Sequence, residues 1–305
     1  MARTRFAPDK GLTSRMLATM FFIGLLYVVF VGVLLVVLKG AWPIIAVVAG
    51  GLFIAQFWFS DKIATFSMGA HEVTAEEYPE LHGTVDRLCA LADMQKPRVA
   101  VAQSDIPNAF ATGRNEKNAV VCVTTGLLRR LEPEELEGVL AHELSHVAHK
   151  DVAVMTIAGF LGVLAGIITR VGVQFGLFGG FDRRDSRDDS TGMVMLIVIG
   201  VSAVVYAISF LLTRLLSRYR ELSADRSAAL LTGRPSALAS ALTKVTGQMA
   251  AIPTQDLRRA QPFNAFYFAP AISAKEMASQ AFSTHPSLQQ RLEQLGKISA
   301  ELGRS

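Results

Sequence analysis

Charge is what this sequence has least of. Asp, Glu, Lys and Arg make up 18% of its 305 residues, against about 25% in an average soluble domain. Apolar side chains make up 51%, and the mean hydropathy is +0.35. That balance excludes a disordered chain and argues against a purely soluble one. Cysteine is nearly missing as well. Cys89 and Cys122 stand far apart, which excludes a disulfide framework and a Cys-ligated metal site and fits a reducing compartment. No sign of charge dominates: 30 Lys and Arg against 26 Asp and Glu leave +4, too small and too scattered for a nucleic-acid partner. Internal repeats and low-complexity linkers are absent too.

The apolar excess is concentrated in four segments. Leu17–Leu38, Ala41–Ser60 and Met193–Thr213 carry no charge. Each is long enough for a helix to cross a hydrocarbon core of about 30 Å, which takes about 20 residues. The third, Val152–Thr169, is followed by Arg170 and then by more apolar chain to Phe181. It is Gly-rich and marginal in length. Arg170 either lines a polar path or snorkels. The first run exceeds the 7–15 residues of a signal-peptide core, and no small-x-small cleavage site follows. The second begins directly across Lys39-Gly40, so a helical hairpin anchor is expected. Basic residues cluster before the first segment (Arg3, Arg5, Lys10, Arg15) and after the fourth (Arg214, Arg218, Arg220). By the positive-inside rule both termini and residues 61–151 lie in the cytoplasm. The predicted organisation is a cytoplasmic tail at 1–16, a transmembrane hairpin at 17–60, a soluble part at 61–151, a second hairpin at 152–213 and a second soluble part at 214–305.

Within the soluble parts, Pro79–Asp93 places Leu81, Val85, Leu88 and Leu91 at helical spacing. Arg98–Gln103 alternates like a strand. Asn108–Thr112 and Ala119–Thr124 flank a polar link at 113–118 and predict a β-hairpin. Pro133 suits the first position of a helix, with Glu134 and Glu135 beside its positive end. That helix should run through Leu136, Val139, Leu140 and Leu144 toward the third apolar segment.

It carries His142-Glu143-Leu144-Ser145-His146. Two His at i and i+4 share a helix face and can meet one metal ion, with Glu143 placed to take a proton from a water activated by Zn²⁺. A catalytic zinc site needs a third protein ligand and an open position. His149 lies on the same face, but one straight helix would hold it about 10 Å from His142. Glu221 is the better candidate, with Asp225 four residues on and able to accept the N–H of a ligand imidazole. His146 lies six residues before the third apolar segment and Glu221 eight after the fourth. If those segments pair, both groups stand at a similar height of about 10 Å.

His142–His146, Glu221-Leu222-Ser223-Ala224-Asp225, Asn108-Ala109-Phe110-Ala111-Thr112-Gly113 and His285-Pro286 together resemble the HtpX-type membrane zinc endopeptidases, relatives of the prenyl-protein CaaX endopeptidase. The resemblance covers nearly the whole chain, except the loop at 177–192. It implies a mainly α membrane protein with four transmembrane helices and a gluzincin-like α+β cytoplasmic metallopeptidase domain holding a small sheet. It also implies one Zn²⁺ per chain and residence in a bacterial-type inner membrane, with misfolded or membrane proteins as substrates. Carried over, His142, His146 and Glu221 are the zinc ligands and Glu143 the general base. Asn108, Ala109, Phe110 and Ala111 belong to an edge strand along which an extended substrate lies.

His285 is placed to cap the last helix or to reach a substrate oxyanion, and Arg291 is the alternative for that second role or else a solvated surface residue. Phe263, Phe266, Tyr267 and Phe268 read as core packing or as a hydrophobic substrate lip. Two other functions fit parts of the pattern. One is an intramembrane protease of the site-two type. The charge around the motif (Glu132, Glu134, Glu135, Glu137, Lys150, Asp151) makes that costly in lipid. The other is a non-enzymatic membrane scaffold with a structural metal site.

Overall fold

The computed structural model describes residues 10–37, 42–59, 62, 65–66, 68–178, 189–251, 268 and 284–303. The elements in order are α1 (Lys10–Val37), α2 (Trp42–Trp58), β1 (Ala70–Glu72), α3 (Pro79–Ala92), β2 (Arg98–Ala102), β3 (Ala109–Thr112), β4 (Val120–Thr124), the one-turn α4 (Thr125–Leu128), α5 (Pro133–Ala148), α6 (Asp151–Phe178), α7 (Asp189–Thr232), α8 (Pro235–Ala251) and α9 (Leu288–Leu302). The chain forms two compact units. One comprises Leu17–Phe57 and Val154–Leu216; the other comprises Met1–Met16, Trp58–Ala153 and Ser217–Ser305.

The first unit is helical. Among the described residues, three helices are long and apolar enough to cross a membrane: Lys10–Val37, Asp151–Gln174 and Gly192–Thr232. The third apolar segment, marginal in the sequence, is therefore long enough. α2, in the second segment, has 17 described residues, at the lower end of the range that crosses a bilayer. Phe30, Leu34, Ala165, Val198 and Val205 form the core of this unit. At its centre the Tyr27 hydroxyl donates to the Ala158 carbonyl at 2.6 Å and accepts from the Gly162 N–H at 3.1 Å, and it lies 2.7 Å from Ser209 Oγ. Gly162 is required there, since a Cβ would sit 2.3 Å from Ser209 Oγ. Arg170 is exposed on α6. Basic residues 1–9 and 39 and the loop at 179–188 lie outside the described residues.

The second unit is built on a four-stranded sheet of order β1-β2-β4-β3. β2 and β4 are parallel, with Arg98 opposite Val120; β1 and β3 are antiparallel to them. The central strands read as unbroken apolar runs because both faces are covered. Val99, Val101, Val121 and Val123 join the main core with Leu81, Val85 and Leu88 of α3, Leu140 and Leu144 of α5 and Leu242 of α8. Ala100, Ala102, Phe110, Val120 and Cys122 form a smaller cluster on the other face. The hairpin predicted at 108–124 is present, with a 3₁₀ turn at Glu116–Asn118 capped by Asn115.

The helix expected from Pro133 also forms. The Glu132 N–H is held by the Glu135 carboxylate at 2.9 Å, and Gly138 lets α8 approach, since a Cβ would lie 3.3 Å from Leu238 Cα. It does not run on into the apolar segment. His149 caps it, and Lys150 adopts φ +56° before α6 begins. At about 1.5 Å per residue the 44-residue α7 is about twice as long as a hydrocarbon core is thick, and its C-terminal part, from Ser217, belongs to the second unit.

Candidate metal centre

α5 and α7 supply the groups that converge. His142, His146 and Glu221 each offer an atom within 4.8 Å of the others. His142 Nε2 is 3.2 Å from His146 Nε2 and 3.7 Å from Glu221 Oε2, and His146 Nε2 is 3.4 Å from Glu221 Oε1. A tetrahedral zinc ion with bonds of about 2.0–2.1 Å holds its ligand atoms about 3.3 Å apart. Two imidazole nitrogens and one carboxylate at these separations fit that ion, and among the described residues no fourth protein ligand joins them. His149, half-buried at the end of α5, is not in the group; burial, followed by the nearby Arg220 and His146, pushes its pKa down to about 4.

Each imidazole is aimed by a carboxylate on its far nitrogen. His142 Nδ1 lies 2.9 Å from Asp225 Oδ1, and His146 Nδ1 lies 2.6 Å from Asp151 Oδ2. A carboxylate on Nδ1 fixes the proton there and leaves Nε2 as the ligand nitrogen. Asp225 has no exposed surface. Arg291 neutralises it through two bonds, Nε to Oδ2 at 2.7 Å and Nη2 to Oδ1 at 2.6 Å. Burial alone would raise the Asp225 pKa, but Arg291 and His142 hold it below the usual range.

Glu143 is buried at the same site. Burial raises its pKa, opposed by the two imidazoles and by a hydrogen bond from the Ala111 backbone. Ala111 lies on β3, an edge of the sheet. The Thr124 N–H bonds the Asn108 carbonyl, so residues 108, 110 and 112 turn their backbone groups to β4, and Ala109 and Ala111 turn theirs to the open edge.

The four residues expected along the substrate edge are placed differently. Phe110 is buried in the smaller core cluster. Asn108 is fully buried, and its Oδ1 accepts the Phe268 N–H at 2.9 Å. Two further expectations change. The last helix is capped by Ser287 in a reciprocal pair with Gln290, not by His285. His285 instead places Nδ1 2.9 Å from Glu221 Oε2. Arg291 is 2% exposed and so is no surface residue; Asp225 and the Phe268 carbonyl occupy its N–H groups. Phe268 packs its ring edge-to-face against His142 at 5.2 Å, a core role. Phe263, Phe266 and Tyr267 lie outside the described residues. Asp151 and Arg220 were not singled out in the sequence as parts of the site, although Asp151 follows the motif by only five residues.

A membrane-associated chain with this donor set on a helix against a small sheet defines the class of membrane metallopeptidases. The model of Peptidase family M48 matches residues 75–299, and the chain belongs to that family. Protease HtpX homolog 1 of Streptomyces coelicolor is 64% identical over 301 residues, 99% of this chain and 97% of that protein. A Protease HtpX homolog of Moorella thermoacetica is 48% identical over 304 residues, 98% of each chain. The crystal structure of S. mikatae Ste24p shares the fold, with a TM-score of 0.52 at 18% identity over 89% of this chain and 62% of that one. The protein is thus a metalloprotease with membrane-spanning helices. That membership sets aside the scaffold. Among the described residues, the motif helix is not one of the three long and apolar enough to span a membrane.

Proposed function

We propose that the protein is a zinc endopeptidase working at the cytoplasmic face of a bacterial-type inner membrane on unfolded stretches of membrane or misfolded proteins. The observation that carries this reading is the convergence of His142 Nε2, His146 Nε2 and Glu221 at tetrahedral spacing beside a buried Glu143. Zinc in that set supplies Lewis acidity, polarising a scissile carbonyl and making a water nucleophilic at neutral pH. Glu143 takes the proton from the attacking water and passes it to the leaving amine. Its raised pKa suits that exchange. Asp225 and Asp151 keep both Nδ1 protons in place, so the ligand nitrogens do not rotate away.

An extended peptide adds to the sheet at β3, pairing with the outward backbone groups of Ala109 and with the Ala111 carbonyl, whose N–H is held by Glu143. Backbone pairing demands little of the substrate's sequence. His285, with Nδ1 2.9 Å from Glu221 Oε2, is the proposed donor for a developing oxyanion. The uncharged run Ala41–Ser60 supports α2 as the second span of the first hairpin, and the Lys and Arg distribution supports a cytoplasmic position for both termini.

The test is zinc content and casein cleavage in detergent for wild type, Glu143→Gln and His142→Ala. Glu143→Gln is expected to keep zinc and lose cleavage, and His142→Ala to lose the metal. Full activity of Glu143→Gln would overturn the mechanism.

A further inference from the structure

The two imidazoles are not supported in the same way. His142 leans on Asp225, four residues beyond Glu221 on α7 and locked by Arg291. His146 leans on Asp151, which lies beyond the end of its own helix. On an unbroken helix a residue five positions on points about 140° away from the first, and Asp151 would not reach the His146 ring. The break at His149–Lys150 removes that obstacle. Lys150 takes a left-handed φ of +56°, a conformation a non-Gly side chain adopts at a cost. The chain then restarts as α6 with Asp151 in its first turn, where the positive end of the helix favours a carboxylate.

Asp151 has a second partner. Its other oxygen, Oδ1, is paired with the Arg220 guanidinium, and both side chains are about nine-tenths buried. Arg220 immediately precedes Glu221 on α7. Asp151 therefore ties a ligand of α5 to the residue next to the ligand of α7.

We infer that the Asp151–Arg220 pair is a positioning brace: it orients His146 and fixes the separation between His146 and Glu221, so that the metal site is assembled before an ion arrives. This rests on the ligand set proposed above. Neither residue is a proposed metal ligand or the general base. A buried ion pair costs desolvation that a hydrophobic pair would not, and placing it here gains a fixed ligand geometry rather than stability.

The test uses the full-length protein in detergent, stripped of metal and titrated with zinc against a competing chelator. The variants are Asp151→Asn, Arg220→Met and the two combined. Asp151→Asn and Arg220→Met are each expected to weaken zinc affinity by about 10–100-fold. Cobalt-loaded Asp151→Asn is expected to show a shifted visible absorption spectrum, as the His146 ring turns. The double variant leaves no buried charge unpaired. It is expected to recover the thermal midpoint lost in the single variants while its affinity stays low, which separates positioning from folding. Wild-type affinity and an unchanged cobalt spectrum in the folded double variant would overturn the brace alone. A wild-type protein that binds neither zinc nor cobalt would overturn the ligand set and the brace with it.

Discussion

Asp225 faces His142 Nδ1 at 2.9 Å from a position with no solvent exposure, and the same carboxylate receives two N–H groups of Arg291. The charge on Asp225 is thus balanced from α9 and directed at α5. Removing the arginine leaves a buried carboxylate unpaired. Arg291→Leu is expected to cost about 3–5 kcal/mol, read as a fall in urea midpoint. Asp225→Asn keeps the shape and is expected to fold, with metal affinity reduced by about 10–100-fold in a chelator competition.

Metal removal should be visible in stability as well as activity. An ion that binds only the folded state at a hundred times its dissociation constant contributes about 2.7 kcal/mol. Treatment with a chelator is expected to lower the thermal midpoint of wild type, and re-addition of zinc to restore it. His142→Ala is expected to show no such response.

Glu135 gives a stability term with a defined sign. Burial would raise its pKa, but hydrogen bonds from Lys244, Ser240 and the Glu132 N–H hold it below the usual value. A depressed carboxylate contributes stability that is present above its unfolded pKa of about 4.3 and is lost as pH falls through the folded value. Wild type is therefore expected to exceed Lys244→Met in urea midpoint at pH 7, with the difference closing below about pH 4.

Glycine tolerance separates two positions. Gly113, in the link between β3 and β4, has φ +126°, and a Cβ there would meet the Asn118 carbonyl oxygen at 2.5 Å. Gly113→Ala is expected to destabilise by more than about 1 kcal/mol and to impair cleavage by disturbing β3. Gly83 lies inside α3 with nothing within 4 Å of its Cβ position. Gly83→Ala is expected to stabilise by about 0.5–1 kcal/mol, and paired melting curves of the two variants check both.

Local signals in the sequence identified the elements that hold the site. Pro133 and the acids after it mark the start of α5, and the polar link at 113–118 marks the hairpin. Glu221 was reachable because helical spacing tied it to Asp225. The break after α5 was not legible, since Lys at a left-handed position carries no Gly or Pro signal. For the same reason Asp151 looked like the edge of an apolar run rather than a partner of His146. Arg291 meets Asp225 across 66 positions, a contact that no local pattern encodes. The facing of Asn108 and Phe110 depends on the register of β3 with β4, because a shift of one residue would exchange the two sets of backbone groups. β1 has three residues, too few for an alternation to show.

Tyr27 bears on how the helical unit holds together. One hydroxyl from α1 serves a carbonyl and an N–H of α6 and faces a hydroxyl of α7. In hydrocarbon each polar group left without a partner costs several kcal/mol, because lipid offers no replacement. Drawing α1 out of the bundle would leave the Tyr27 hydroxyl without any of these partners. That one side chain therefore favours α1 staying packed against α6 and α7 in a lipid setting.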